Sequence, residues 1–443
     1  MAPSSKIAII SFGTLGDVKP QCLLARALTD QGHDVTLVVN AEYEKFCQSY
    51  AIKVVPLKSP LDEATDAGIF AALSSGPQKL RWDTVLDICR RIRQVSAEIG
   101  NMLEACWSLC ASADLVIYNS VAFFCGEFAR QKRIPSIHVM MQPLLPSARH
   151  SLCLFGGEQR SRLFNRLSYE IPRLFPFMIR GGFRSFHRKV PEAGRVPFLS
   201  NPLTLGLSHS RQIAAFSPLV GPAQKDWPGA PAVTGFWFSE PSTDILPEAV
   251  SGFLQEGERP VYIGFGSMFW NSSHNTRVIL EGLKLWGGRA IVSNGGGALR
   301  LPEELPENLL KVGFVDHASL FPHVAAAVHH GGAGTTAQAL YSGIPSIVYP
   351  MFGDQRYWGA RVAALGAGLD PMPLKSASPD AFARRLEAVY ANPAMMEAAR
   401  AAAEHLRREP GVRGAVELVE RVLQEANFKS SAEADFMEWA AAV

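Results

Sequence analysis

The chain has 443 residues, more than one hydrophobic core usually organises, so two domains of roughly 200 residues with a cleft between them are expected. Charged residues at 19% and apolar ones at 47% exclude a disordered chain, and a formal net charge of +2 excludes binding driven by a polyanion such as nucleic acid. Seven cysteines without a C-x-x-C pair exclude a disulfide framework and a thiolate zinc site, and fit reduced thiols in the cytoplasm.

In chain order, the apolar run Lys6–Phe12, with a strand at Ile7–Ser11, meets Gly13 too soon for a signal sequence, and no stretch of 18 apolar residues follows. A soluble protein, or one lying on a membrane surface, is expected. A Gly turn, a helical pattern through Leu23, Leu24, Ala27 and Leu28, and a second run at Val35–Val39 complete a βαβ unit, with Gly32 stopping the helix. Runs at Val54–Leu57, Leu115–Tyr118 and Ile134–Met140 extend it into a parallel sheet covered on both faces.

The segment 145–196 fits no sheet: it mixes Phe155, Phe164, Phe175 and Phe183 with Arg160, Arg162, Arg166, Arg173 and Arg184. Helices packed on the first domain, an acceptor-site lid and a surface for lipid membranes are the readings it allows. The N-terminal domain is assigned to 1–220 and a Pro- and Gly-rich linker to 221–241.

Runs at Val261–Phe265, Ala290–Val292, Leu309–Phe314, Ala325–His329 and Ile344–Tyr349 predict a second doubly wound sheet in a C-terminal domain, 242–410. Helices over 411–443 are expected to return to the N-terminal domain.

The strongest chemical signal is Val328-His329-His330-Gly331-Gly332-Ala333-Gly334-Thr335-Thr336, a strand end passing through glycines into a helix expected to begin near Ala337. Glycines let backbone N–H groups approach an anion, and the helix N-terminus adds partial positive charge. His330 can add a hydrogen bond or a charge. The glycine spacing matches neither the dinucleotide fingerprint nor a P-loop. Asp354 and Gln355 follow the next strand at the same sheet edge and suit sugar hydroxyls, though alone they would read as a helix N-cap and its neighbour. Asp17, between the first strand and first helix, would face the cleft as a candidate general base, or else cap the helix or shape a turn. His138 is a lesser cleft candidate that reads equally as a core residue.

Together His330-Gly331-Gly332-Ala333-Gly334-Thr335-Thr336, Phe352-Gly353-Asp354-Gln355, Trp358-Gly359-Ala360-Arg361 and Gly13-Thr14-Leu15-Gly16-Asp17-Val18-Lys19-Pro20 resemble the UDP-glycosyltransferase superfamily, in the branch of sterol glucosyltransferases and bacterial natural-product glycosyltransferases. The resemblance implies a GT-B fold: α/β, two facing Rossmann-like doubly wound parallel-sheet domains with the donor in the C-terminal one. It places the β-phosphate near Ser267 and His330 and the α-phosphate on the backbone of Gly332, Gly334 and Thr335. Uracil would stack near Phe314 with Val315 offering its backbone, sugar hydroxyls would meet Asp354 and Gln355, and Asp17, beside Gly16 at the donor, would be the base.

Three positions depart from the pattern. Phe314 stands where plant relatives have Trp, Gln338 where they have Glu, and Leu15 where the branch commonly has Arg.

The implied reaction is inverting transfer of a sugar, glucose favoured, from a UDP-sugar to an apolar acceptor, with no metal and no cofactor besides the donor. Sterol, polyketide, phenol and lipid acceptors stay open, as does a thymidine nucleotide. A sugar-nucleotide epimerase and a non-catalytic nucleotide-sugar-binding accessory protein are the alternatives.

Overall fold

In a computed structural model the protein is described at residues 4–58, 96–157, 160–196, 200–238, 246–266, 272–295 and 299–442. The apolar runs become strands because they can be buried on both faces at once. Along β1 (Lys6–Ile10), Ile7 and Ile9 enter one core while Ile10 enters another on the opposite face, following the period-two alternation of a strand. β2 (Asp34–Asn40), β3 (Lys53–Leu57), β4 (Leu115–Asn119), β5 (Ser136–Met140), β6 (Ser210–Ala214) and β7 (Ala232–Val233) join it in a sheet of order β3-β2-β1-β4-β5-β6-β7. Every pairing is parallel; Ile7, for example, stands opposite Val35 on one side and Leu115 on the other.

Helices α1 (Leu15–Asp30), α2 (Ser96–Ala111) and α3 (Phe124–Lys132) cover this sheet, followed by α4 (Arg162–Ser168) and α5 (Arg180–Lys189), the latter packed on α2. The second sheet runs β10-β9-β8-β11-β12-β13, also all parallel, from β8 (Val261–Gly264), β9 (Ala290–Ser293), β10 (Leu309–Val312), β11 (Ala326–His329), β12 (Ser346–Val348) and β13 (Gly368–Leu369). Around it lie α6 (Ser272–Trp286), α7 (Ala333–Tyr341), α8 (Gln355–Ala364), α9 (Pro379–Tyr390) and α10 (Pro393–Leu406). α7 starts at Ala333 with Gly332 as its N-cap, four residues before the start expected at Ala337, because Gly332 can take the extended cap conformation that frees the next residues to turn.

The stretch read as a linker, 221–241, of which 239–241 lie outside the described residues, differs from that reading over 221–238. Ala232–Val233 adds β7 to the edge of the N-terminal sheet, and Trp227, Phe236 and Trp237 are buried. Pro and Gly make the stretch look like loop, but a two-residue edge strand tolerates them and its aromatic side chains supply the burial. One long helix, α11 (Gly411–Ala442), sets Ala415, Val419, Val422 and Leu423 into the core of the N-terminal sheet, with His33 Nε2 2.7 Å from Glu420.

A core cluster shared by the two sheets' domains joins Phe216, Val220, Trp227 and Phe236 to Leu340, Trp358, Val362 and Leu406. Trp358 is fully buried there, its ring edge-on to Phe216, while the Arg361 Nε donates to the Val220 carbonyl at 2.6 Å. Strand order reverses between β1 and β4 in one sheet and between β8 and β11 in the other. Loops leaving these strands diverge and leave a crevice, which is where open parallel sheets hold ligands.

Candidate active site

The loop leaving β1 is pinned from both neighbouring strands. Asn119, at the end of β4, accepts from the Phe12 N–H at 3.4 Å and donates its Nδ2 to the Phe12 carbonyl at 2.7 Å. Asn40, at the end of β2, accepts from the Gly13 N–H at 3.3 Å. Gly13 has φ +122°, and a Cβ on it would lie 2.6 Å from Asp17 Oδ2, so only glycine allows Asp17 to fold back over the turn.

Asp17 does fold back: its Oδ2 accepts from the Thr14 N–H at 3.0 Å and from Thr14 Oγ1 at 3.1 Å, forming a capping box at the start of α1. Its Oδ1 faces Gln142 Nε2 at 3.5 Å. The cap role and the cleft position therefore coexist, one on each carboxylate oxygen. Burial raises the Asp17 carboxyl above its ordinary range, against the opposing hydrogen bonds of Thr14 and Gln142.

The glycine turn after β11 sits across the crevice. Gly331 has φ +89°, and a Cβ on it would collide with Val348 Cγ1 at 2.6 Å and the Gln355 carbonyl at 2.7 Å. A Cβ on Gly332 would meet His330 Nε2 at 2.5 Å, whereas one on Gly334 would meet nothing within 4 Å. His329 is buried and uses Nδ1 to accept from the Gly331 N–H at 3.0 Å, which shapes the turn. Burial lowers His330 to about 4, which favours the neutral ring and its hydrogen bond over the positive charge. Its Nδ1 and the Thr336 hydroxyl are buried polar atoms with no hydrogen-bond partner among the described residues.

Gln355 is buried at the head of α8, and its Oε1 accepts from the N–H groups of Met351 at 2.7 Å and Phe352 at 3.1 Å. That leaves its amide NH₂ as the group able to meet a ligand. Asp354 Oδ2 accepts from Trp358 Nε1 at 2.6 Å, which ties this carboxylate to the buried interdomain cluster. Asp354 is pushed up to about 6, first by burial and then by the negative charge of Asp17, with the Trp358 bond opposing. The two carboxylates from opposite domains thus sense each other.

Such a carboxyl stabilises the fold fully below its unfolded value of 3.8, and that contribution is lost as pH rises through about 6. Asp354→Asn, which can still accept from Trp358, is therefore expected to gain on the wild type by on the order of 1–2 kcal/mol between pH 4 and pH 7. Thermal melts of both proteins across that range check it, and a constant difference would rule it out.

Lys19 on α1 pairs with Asp316 at 3.4 Å, linking the first helix to the loop after β10 that carries Phe314 and Val315. Phe314 is 78% exposed, a large apolar ring presented at the surface, while Val315 is buried. Gln338 bonds Ser342 Oγ at 3.3 Å along its own helix. Gly16, Gly334 and Thr335 lie at the starts of α1 and α7, with Gly16 and Gly334 exposed. Ser267 lies outside the described residues, although Gly266 before it, at φ +63°, comes near His330: a Cβ there would be 3.5 Å from Cε1.

His138 lies in the sheet, bonded through Nε2 to Ser120 Oγ at 3.0 Å, stacked on Tyr118 and held down to about 4 by burial. It is a core residue.

Asn40, Asn119 and Gln142 are the positioning residues that sequence reasoning passed over. The first two carried a signal, since an apolar strand that ends in Asn offers a side chain able to clamp the next loop. Among the described residues no group of three or more His, Cys, Asp or Glu side chains is placed to hold a metal ion.

The chain matches the family models described as the Glycosyltransferase family 28 N-terminal domain over residues 7–120 and the Erythromycin biosynthesis protein CIII-like C-terminal domain over residues 287–422. A sterol 3-beta-glucosyltransferase of Arabidopsis thaliana is 31% identical over 95% of this chain and 68% of its own length. This chain belongs to the UDP-glycosyltransferase superfamily.

A sterol 3-beta-glucosyltransferase of Pichia angusta is 29% identical over 94% of this chain but only 33% of its own length, so the chain spans a third of that relative. Among solved structures, the glycotransferase of kitacinnamycin superposes with a TM-score of 0.70 at 18% identity, covering 95% of this chain and 100% of that one. The calicheamicin glycosyltransferase CalG4 superposes at 0.64 with 17% identity, over 96% and 99%. These likenesses establish the GT-B fold, and with it the two facing domains.

Proposed function

We propose that this member of the superfamily transfers glucose from UDP-glucose to a hydroxyl of a sterol-like apolar acceptor, with inversion at the anomeric carbon. The observation that carries the reading is the pairing of Asp17, raised by burial, with Asp354 and the glycine turn of the facing domain. The sterol class rests on the similarity to the Arabidopsis and Pichia proteins.

In this reading the acceptor oxygen attacks the anomeric carbon from the face opposite the nucleotide. Its proton passes to Asp17 Oδ1 as the new C–O bond forms, and the bond to the β-phosphate oxygen breaks with its electron pair on UDP. Backbone N–H groups at the start of α7 and the His330 ring face that diphosphate, each well-aimed donor contributing on the order of 3 kcal/mol. The Gln355 amide and Asp354 hold sugar hydroxyls. No divalent cation enters the scheme, and transfer is expected to survive EDTA.

Incubation with UDP-glucose and a panel of sterols and phenols, following UDP release and product mass, tests the proposal. UDP-sugar turnover without an acceptor would favour an epimerase, and binding without turnover an accessory protein. Because Asp17 must be ionised, kcat/KM is expected to rise with pH through a limb above the ordinary carboxylate range.

The exposed Phe314 ring is the proposed platform for uracil. Phe314→Ala is expected to weaken UDP binding about tenfold in calorimetry, as loss of one base–aromatic stack does, with an unchanged melting temperature. Unaltered affinity would remove Phe314 from the donor site.

A further inference from the structure

Helix α4 is built inside out. Its polar residues face inward: Asn165 is fully buried and its Nδ2 donates to the carbonyls of Ala148 at 3.0 Å and Arg160 at 3.2 Å. Buried Ser168 accepts from the Leu152 N–H at 2.8 Å and donates to the Asn165 carbonyl at 2.6 Å. Its apolar residues face solvent, with Leu163 68% and Leu167 55% exposed and Phe164 beside them. A helix in contact with water alone would turn these leucines inward.

The exposure is concentrated. Of the ten exposed large apolar side chains among the described residues, seven lie between Leu154 and Leu174. Single exposed leucines need no explanation, but a contiguous cluster marks an interaction surface. Among the described residues of this segment the charged side chains are mostly cationic: Arg160, Arg162, Arg166 and Arg173 are exposed, against one acid, Glu170, which pairs with Arg173. Arg160 lies over the Phe164 ring at 4.8 Å, placing cation and apolar group side by side.

Leucines that enter an acyl region beside exposed Arg162 and Arg166 match an anionic bilayer surface, whereas an apolar ligand alone makes no use of that charge. At its other end the patch reaches the active site. Leu154 Cδ2 lies 4.0 Å from where a Cβ on Gly353 would stand, next to Asp354.

We infer that the face formed by residues 154–155 and 160–174 docks on an anionic lipid bilayer, with the mouth of the cleft turned toward the lipid. An acceptor dissolved in the bilayer then reaches the cleft without crossing water. Docking itself does not rest on the transferase reading, only this consequence does.

Flotation of the full chain with phosphatidylcholine vesicles, with and without about 30 mol% phosphatidylserine, tests it. The wild type is expected to float with the anionic vesicles. The Leu163→Gln/Leu167→Gln pair is expected to lose about tenfold or more in partition, since both side chains leave the acyl region. Arg162→Gln/Arg166→Gln is expected to lose roughly 25-fold on anionic vesicles alone, about fivefold per charge. All four side chains are exposed, so circular dichroism melts should match the wild type.

No vesicle binding, or equal binding by all three proteins, would overturn the inference. So would a wild-type dimer that the leucine pair dissociates while vesicles stay unbound, which would give the face to a second copy. Vesicle binding is read without donor or acceptor, so its failure leaves transfer to a water-soluble phenol untouched, and the reverse holds as well.

Discussion

Asp17→Asn is expected to lower kcat by about 10² to 10⁴ while leaving the fold and UDP affinity near those of the wild type. The expectation follows from the division of labour between the two carboxylate oxygens. Oδ2 accepts from Thr14 and closes the capping box, a role an amide oxygen can keep. Oδ1 lies toward Gln142 and the crevice and is the oxygen proposed to take the acceptor's proton, which an amide cannot do.

Asp17→Ala separates the two roles further. It should lose the same rate and, in addition, about 1 kcal/mol of stability, because the cap goes with the side chain. Asp354 supplies an independent check: removing the Asp17 charge withdraws one cause of its raised value, so its titration should move down in either variant. Steady-state kinetics beside urea melts decide the matter. An Asn variant that turns over normally would leave Asp17 as a helix cap and nothing more.

The second large effect is expected at Gly331. Its φ of +89° costs an L-residue about 1–2 kcal/mol, and a Cβ there overlaps Val348 and the Gln355 carbonyl, adding about 1–3 kcal/mol. Gly331→Ala should therefore destabilise the protein by roughly 2–5 kcal/mol. It should also cost more than tenfold in UDP affinity, because the displaced backbone carries both His330 and the start of α7. Gly334→Ala is the matched control. Its Cβ meets nothing within 4 Å and lies inside α7, so it should match or exceed wild-type stability. Denaturant midpoints and UDP titrations of the pair measure both effects, and equal stability of the two variants would refute the strain argument.

Local chemistry accounts for what could be read in advance. The strands are short apolar runs bounded by turn residues, a pattern that parallel sheets require because both faces are covered. The glycine turn was legible because positive φ and close backbone approach leave glycine as the residue that fits, and the turn lies within nine consecutive residues. Where a two-residue strand sat among prolines, as at Ala232–Val233, the local pattern pointed to loop and long-range pairing overrode it.

The sequence by itself determined the two Rossmann-like halves, the glycine turn and the superfamily, since each is carried by contiguous residues whose spacing encodes the geometry. Only the tertiary structure decided the rest. Lys19 meets Asp316, and Asp17 raises Asp354, across hundreds of residues of chain and between two domains. Trp358, part of a motif that carried the family resemblance, is buried in the interdomain core and anchors Asp354. Asn40 and Asn119 clamp the first loop because neighbouring parallel strands end at the same level. In α4 the inward face proved to be the polar one. Each of these depends on which surfaces meet after folding, and no window of local sequence contains that information.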